Sequence, residues 1–295
     1  MAPHPAPTST WHTKTYPSIC PARPELSARG KAVVITGGGT GIGAETARYF
    51  AEAGASRIAL IGRRVKPLLD TKASIDQSFT DIEVSIFSID ITKKAEVDET
   101  FVRFIGDGKL HILVSNAASI GPQDPIDQAD DKLLEAIQQN LKGAFYIAQA
   151  FLRYASTDAV AINVSSSAAH LDFVPDFAAY SIAKMAIIRL WDSLAFAHPE
   201  LSVFHVQPGV VDTAMNREAN AAGIKFVTNK DDVSLPASFH VWLASPEARF
   251  LKGKFLWANW DVDELKGQAM EIKASAKLRI GLVGWPFQNG SQVSY

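Results

Sequence analysis

Ala32-Val-Val-Ile-Thr36-Gly37-Gly38-Gly39-Thr40-Gly41-Ile42-Gly43 is the stretch on which the fold turns. It opens with an apolar, β-branched run, and its glycines lead into a helical pattern from about Gly41 to Ala53. A glycine triplet alone is weak evidence; strand, loop and helix in that order give it meaning. Glycines permit a tight turn and the close approach of a pyrophosphate, whose charge then rests on the helix's amino end. The plainer alternative is a glycine-rich turn with no ligand, and the strand-loop-helix context weighs against it.

Outward from this unit, β-rich runs alternate with helical patterns. The runs are Arg57–Ile61, Val84–Ile89, His111–Val114, Ala159–Val164, Leu201–Val206 and Phe255–Ala258. Helical patterns fall near 66–79, 93–104, 129–154 and 180–196. Strands apolar on both faces that alternate with helices predict an α/β fold: a doubly wound, Rossmann-type parallel sheet of about seven strands, helices on both faces. Residues 30–295 read as one catalytic domain. Within it, 213–236 is poorly periodic, with a weak helical run over Met215–Gly223, and is expected to form a substrate loop beyond a strand's carboxyl end.

The first 29 residues differ. Prolines at 3, 5, 7, 17, 21 and 24 forbid a helix or a central strand. They predict an extended arm that drapes over the domain or stays disordered, with Trp11 and Tyr16 available for docking. The arm contains no apolar h-region, so it is not expected to be a signal peptide. With 295 residues and 47% hydrophobic content the chain can bury a full core, and a net charge of −2 gives no basic face for nucleic acid. No run of eighteen apolar residues occurs, so no membrane span is expected. Cys20 is the only cysteine, which excludes an internal disulfide and cysteine-based metal cages. His and acidic residues show no ligand spacing, so no metal is expected. A soluble, cytoplasmic protein is the expectation.

Tyr180-Ser-Ile-Ala-Lys184 carries the chemistry. Four residues apart on a helix, the two side chains share a face, and an ammonium beside a phenol favours the phenolate. The phenol is therefore expected to exchange protons near neutral pH. A serine cluster, Ser165-Ser166-Ser167, lies upstream.

The glycine spacing Gly37-x-x-x-Gly41-x-Gly43 resembles that of short-chain dehydrogenases/reductases. The likeness runs from about Gly30 onward and includes Asp90, Ser115-Asn116-Ala117-Ala118, Asn140, the serine cluster, Tyr180/Lys184 and Pro208-Gly209 followed by Thr213. Arg23-Pro-Glu-Leu-Ser27 and the run Phe250 to Asp261 look more narrowly like a fungal branch. The resemblance implies a nicotinamide cofactor held by Gly37, Gly39, Thr40, Gly41, Ile42 and Gly43. It adds Asp90 and Ile91 at the adenine, Asn116 and Ala117 at the ribose, and Pro208, Gly209, Val211 and Thr213 at the nicotinamide. Ala118 stands where the family usually has glycine. Asp90 could equally cap the following helix.

The second strand ends in Gly62-Arg63-Arg64 rather than an acidic residue. A guanidinium grips a phosphate through paired charge-assisted bonds, so NADP(H) is favoured over NAD(H), with Arg63 the better candidate. The alternative is that Arg63 and Arg64 are a solvated helix start.

By resemblance the catalytic group is Ser166, Tyr180, Lys184 and Asn140. Tyr180 and Lys184 also meet the cofactor, Ser166 holds the carbonyl oxygen, and Asn140 supports a water beside the lysine. Counting from Asn163 gives Ser166, whereas counting back thirteen from Tyr180 gives Ser167; the strand is the firmer anchor and favours Ser166. The loop after it places His170, Phe173 and Val174 at the substrate, with Phe177, Met215, Phe226 and Trp260 as further apolar candidates. His170 reads as a pocket-wall residue rather than a catalytic one.

The implied reaction is hydride transfer between NADPH and a ketone or secondary alcohol of an apolar small molecule, in a secondary-metabolism setting. A cyclase, dehydratase or isomerase on the same fold, or a non-catalytic NADP-sensing module, are the alternatives. The resemblance further implies a homodimer or homotetramer.

Overall fold

Seven parallel strands form one sheet in the order β3-β2-β1-β4-β5-β6-β7, seen in a computed structural model that describes residues 4–172, 175–221 and 230–282. The strands are β1 (Ala32–Thr36), β2 (Arg57–Gly62), β3 (Glu83–Ser88), β4 (Leu110–Ser115), β5 (Ala155–Val164), β6 (Ser202–Gln207) and β7 (Phe255–Trp257). Between them run α1 (Gly41–Glu52), α2 (Val65–Ser78), α3 (Lys94–Ile105), α4 (Asp131–Tyr154), α5 (Ala178–Ala197), α6 (Ala214–Ala221) and α7 (Ser234–Ala244). After β7 come α8 (Val262–Gly267) and α9 (Ala269–Ala274).

Alternation along each strand divides the core in two. Val33 and Ile35 of β1 and Ile58 and Leu60 of β2 pack with Phe50 of α1 and with Phe239 and Trp242 of α7. Ala32, Val34, Ala59 and Ile61 face the other way, onto Phe101, Ile147, Phe151 and Trp191 of α3, α4 and α5. The rings of Phe151 and Trp191 meet edge to face, centroids 6.1 Å apart. Strand order reverses between β1 and β4, and such a reversal leaves a crevice at the strands' carboxyl ends.

α7 is a helix the sequence reading did not foresee. Leu235 to Leu243 are all buried, so the segment has no polar stripe to mark a period. Pro236 sits in its first turn, where a missing N–H costs nothing. α7 starts inside the expected 213–236 loop; residues 222–229 of that loop lie outside the described residues.

The amino-terminal arm drapes over α7 and β7. Ile19 and Leu26 are fully buried in the core. Trp11 bridges to Trp260 and packs edge-on to Trp257. The Tyr16 hydroxyl donates to the Trp260 carbonyl at 3.3 Å and accepts the Val262 N–H at 2.9 Å. Arg23 pairs with Glu247 at 2.7 Å. Among the described residues no helix is long and apolar enough to cross a membrane, and no cluster of His, Cys, Asp or Glu could hold a metal.

Candidate active site

The glycine loop is shaped by what lies beneath it. A Cβ on Gly43 would fall 2.3 Å from the Gly37 carbonyl oxygen and 2.8 Å from Nδ2 of Asn116, so only glycine fits in the first turn of α1. Asn116 donates from Nδ2 to the Thr36 carbonyl at 2.9 Å. The Thr36 hydroxyl accepts the N–H groups of Asn116 and Ala117, each at 2.9 Å. The carboxyl ends of β1 and β4 are thereby locked together across the crevice.

Two connected hollows open there. The smaller, about 220 Å³, is lined by Gly37, Thr40, Gly41, Ile42, Asn116, Ala117, Ser166, Tyr180, Lys184, Pro208, Gly209, Val211, Thr213 and Met215. The larger, about 960 Å³, is lined by Gly39, Arg63, Arg64, Asp90, Ile91 and Asn140. Gly37, Thr40, Ala117 and Ala118 border both, so the glycine loop is their shared rim. Gly43 lies below the loop rather than on either wall.

Tyr180 and Lys184 stand one turn apart on α5. The Lys184 ammonium donates to the Val164 carbonyl at 2.7 Å and sits 5.4 Å from the centre of the Tyr180 ring. Burial lowers Lys184 to about 8. Tyr180 departs from the expectation of a phenol titrating near neutrality. Burial raises its pKa above the ordinary tyrosine range, and the neighbouring Ser166 hydroxyl only partly opposes this. A phenol that resists ionisation is a proton donor at pH 7, with the ammonium at hand for the phenolate left behind.

Ser166 caps a short 3₁₀ turn, Ser167–Ala169, its Oγ accepting the Ala168 N–H at 3.2 Å. Ser167 is buried and its N–H donates to Oε1 of Gln207 at 2.8 Å. Both serines border the smaller hollow, but Ser166 is the one whose hydroxyl lowers the Tyr180 pKa. Asn140 is clamped on Ser119: Oδ1 accepts the Ser119 N–H at 2.9 Å, and Nδ2 donates to the Ser119 and Ala136 carbonyls at 3.0 Å each.

Arg63 and Arg64 are exposed, and neither has an ion-pair partner among the described residues. Asp90 accepts from the N–H and the hydroxyl of Thr92 at 2.9 Å each, bonds that lower its pKa, with nearby Arg63 adding to the effect. It closes a local turn; Lys93, not Asp90, occupies the N-cap of α3.

His170 turns away from the cleft. Nε2 accepts from Nε1 of Trp257 at 3.3 Å and its ring packs on Phe255 at 4.7 Å, outside the described cleft lining. Trp260 is likewise buried, stacked on Trp257 at 6.3 Å. Phe173, Val174 and Phe226 lie outside the described residues. Phe177 and Met215 do reach the cleft, Phe177 with its ring 4.9 Å from that of Tyr180. Asp212 faces solvent and pairs with Lys230 and Arg217. Gln207 was not foreseen, since it belongs to no spaced motif and acts through a backbone contact.

Comparison with known proteins agrees with this geometry. The sequence profile of the family described as "short chain dehydrogenase" matches residues 31–223. A short chain dehydrogenase/reductase of Claviceps purpurea is 31% identical, covering 95% of each chain. AacuD of Aspergillus aculeatus, of the same description, is 32% identical over 94% of this chain and 96% of its own. Among solved structures, a dehydrogenase/reductase from Sinorhizobium meliloti superposes with a TM-score of 0.69 at 26% identity, over 79% of this chain and 95% of its own. A 7α-hydroxysteroid dehydrogenase, complexed with NADH and 7-oxo glycochenodeoxycholic acid, superposes with a TM-score of 0.70 at 25% identity, over 83% and 97%. Profile, fungal relatives and fold converge, and the chain belongs to the short chain dehydrogenase family, in a fungal branch of it.

Proposed function

We propose that this oxidoreductase transfers a hydride between NADP(H) and a ketone or secondary alcohol of an apolar small molecule. The observation that carries the reading is the Ser166–Tyr180–Lys184 group on a cleft whose rim, the glycine loop, opens into the hollow bordered by Arg63 and Arg64. A bound nicotinamide supplies the hydride. Tyr180 gives its proton to the carbonyl oxygen, which Ser166 holds in place. Lys184, pinned by Val164, presents positive charge to the phenolate that results. Proton donation of this kind is worth about 10²–10⁴-fold in rate. Pro208, Gly209, Val211 and Thr213 form the opposite wall and would orient the nicotinamide.

Arg63 and Arg64, with no ion-pair partner among the described residues, support the 2′-phosphate assignment, because a guanidinium can bind phosphate in a bidentate manner. Ile120, Ala168, Phe177, Val210 and Met215 give the substrate end an apolar lining. Phe145 of α4 and Ile182 of α5 are 42% and 45% exposed and fit a pairing of these helices with a second copy. Steady-state assays with a panel of ketones and quinones, using NADPH and NADH in parallel, test the reading. NADPH oxidation with at least one carbonyl compound is expected; a preference for NADH would overturn the Arg63 assignment.

A further inference from the structure

Asp231 joins three parts of the chain that are far apart in sequence. Its Oδ2 accepts the Val210 N–H at 2.7 Å, and its own N–H donates to the Val210 carbonyl at 2.8 Å. Oδ1 accepts from Nδ2 of Asn259 at 3.0 Å. Asn259, only 1% exposed, also donates from Nδ2 to the His12 carbonyl at 2.8 Å, and its own carbonyl accepts the His12 N–H at 2.8 Å. Beside it the Asp232 N–H donates to the Thr13 carbonyl at 2.7 Å. The contacts therefore run from the arm through Asn259 and Asp231 to Val210.

The carboxylate packs directly under the cleft wall. Gly209 has φ +89°, and a Cβ there would lie 2.5 Å from Oδ2 of Asp231. Glycine serves both the left-handed backbone and the close approach. Pro208, Gly209, Val210 and Val211 all face the hollow that holds Tyr180. A half-buried carboxylate accepting a backbone N–H makes one of the stronger bonds available to a loop.

We propose that Asp231 is a positioning residue: its carboxylate fixes the Pro208–Val211 wall of the cleft, and Asn259 ties that wall to the amino-terminal arm. The proposal rests on the cofactor reading above only for what the wall holds. Hydrogen bonds to charged groups are worth about 10- to 100-fold in an equilibrium.

Full-length wild type, Asp231→Ala, Asp231→Asn and Asn259→Ala are compared by amide hydrogen exchange, NADPH titration and steady-state kinetics. In Asp231→Ala, exchange at Val210 is expected to rise about 10- to 100-fold while amides of β1, β4 and β5 keep wild-type protection. Cofactor KM should rise by a similar factor, with kcat at saturating cofactor changed less than about threefold. Asn259→Ala should raise exchange at His12 at least about tenfold and at Val210 to a smaller extent. If Asp231→Ala does not fold, Asp231→Asn carries the test. It keeps one oxygen and must loosen either the Val210 or the Asn259 contact, raising exchange at Val210 or His12 by about tenfold. Exchange at both positions within about twofold of wild type would overturn the proposal. Wild type that binds neither NADPH nor NADH would defeat the cofactor reading, and Val210 exchange would still decide the role of Asp231.

Discussion

Nζ of Lys184 lies 2.7 Å from the carbonyl oxygen of Val164, the last residue of β5. That bond anchors a buried ammonium to the end of the sheet. Burial disfavours its charged form, so Lys184 is charged below about 8 and neutral above it, well short of an ordinary lysine. Carbonyl reduction that needs this charge should hold steady below pH 8 and fall about tenfold per pH unit well above it. The profile of kcat/KM between pH 6 and 10 checks this. A flat profile to pH 10 would remove Lys184 from the protonation step.

Tyr180→Phe deletes the proposed proton donor and leaves the ring's packing against Phe177. We expect kcat to fall about 10²–10⁴-fold with the melting temperature and NADPH affinity nearly unchanged. Single-turnover kinetics alongside nucleotide titration separate these effects. Turnover within tenfold of wild type would mean that another group supplies the proton.

Gly43→Ala should damage the loop rather than the chemistry. The added Cβ meets backbone at 2.3 Å, a contact only movement of the Gly37 carbonyl can relieve. Overpacking of this kind costs roughly 1–3 kcal/mol, a drop of several degrees in melting temperature. Calorimetry should show that loss together with weaker nucleotide binding.

Arg63→Ser removes one exposed guanidinium from the wall of the larger hollow. The expected outcome is about a 10- to 100-fold rise in the KM for NADPH with that for NADH changed little. Equal effects on both cofactors would make Arg63 a solvated helix start.

His240 gives the protein an acid-sensitive core. Its Nδ1 meets the Thr46 hydroxyl at 3.0 Å, and its Nε2 is buried without a partner among the described residues. Burial drops its pKa from 6.5 to about 3. The unfolded chain takes up this proton below pH 6.5 and the folded one does not until about pH 3, so stability falls as pH falls through that window. His240→Gln keeps a partner for Thr46 and removes the titration. Its loss of melting temperature between pH 7 and pH 5 should be smaller than that of wild type.

The sheet was legible in the sequence because buried parallel strands are continuous β-branched runs, and Ala32–Thr36 announces itself by content alone. The same burial hid α7, whose apolar surface on every side erases the period that reveals a helix. In the site, the place of Tyr180, Lys184 and the glycine loop on the cleft was legible because close spacing along the chain already brings them together. Asp231 and Asn259 were not, since they stand 28 residues apart and their bond depends on tertiary packing alone. His170 reads as a cleft residue from its place in the loop after Ser166, yet Trp257, from β7, captures its ring. Only the folded neighbour decides such a case.

The contact of His12 with Asn259 spans 247 residues and has a consequence for synthesis. The arm is therefore translated well before the segment on which it docks. Until β7 and α8 have emerged, Trp11 and Tyr16 lack the Trp257, Trp260 and Val262 on which they dock. Closure of this belt then follows the pairing of the sheet that it fastens, and a bulky group placed beside Trp11 would act on that step.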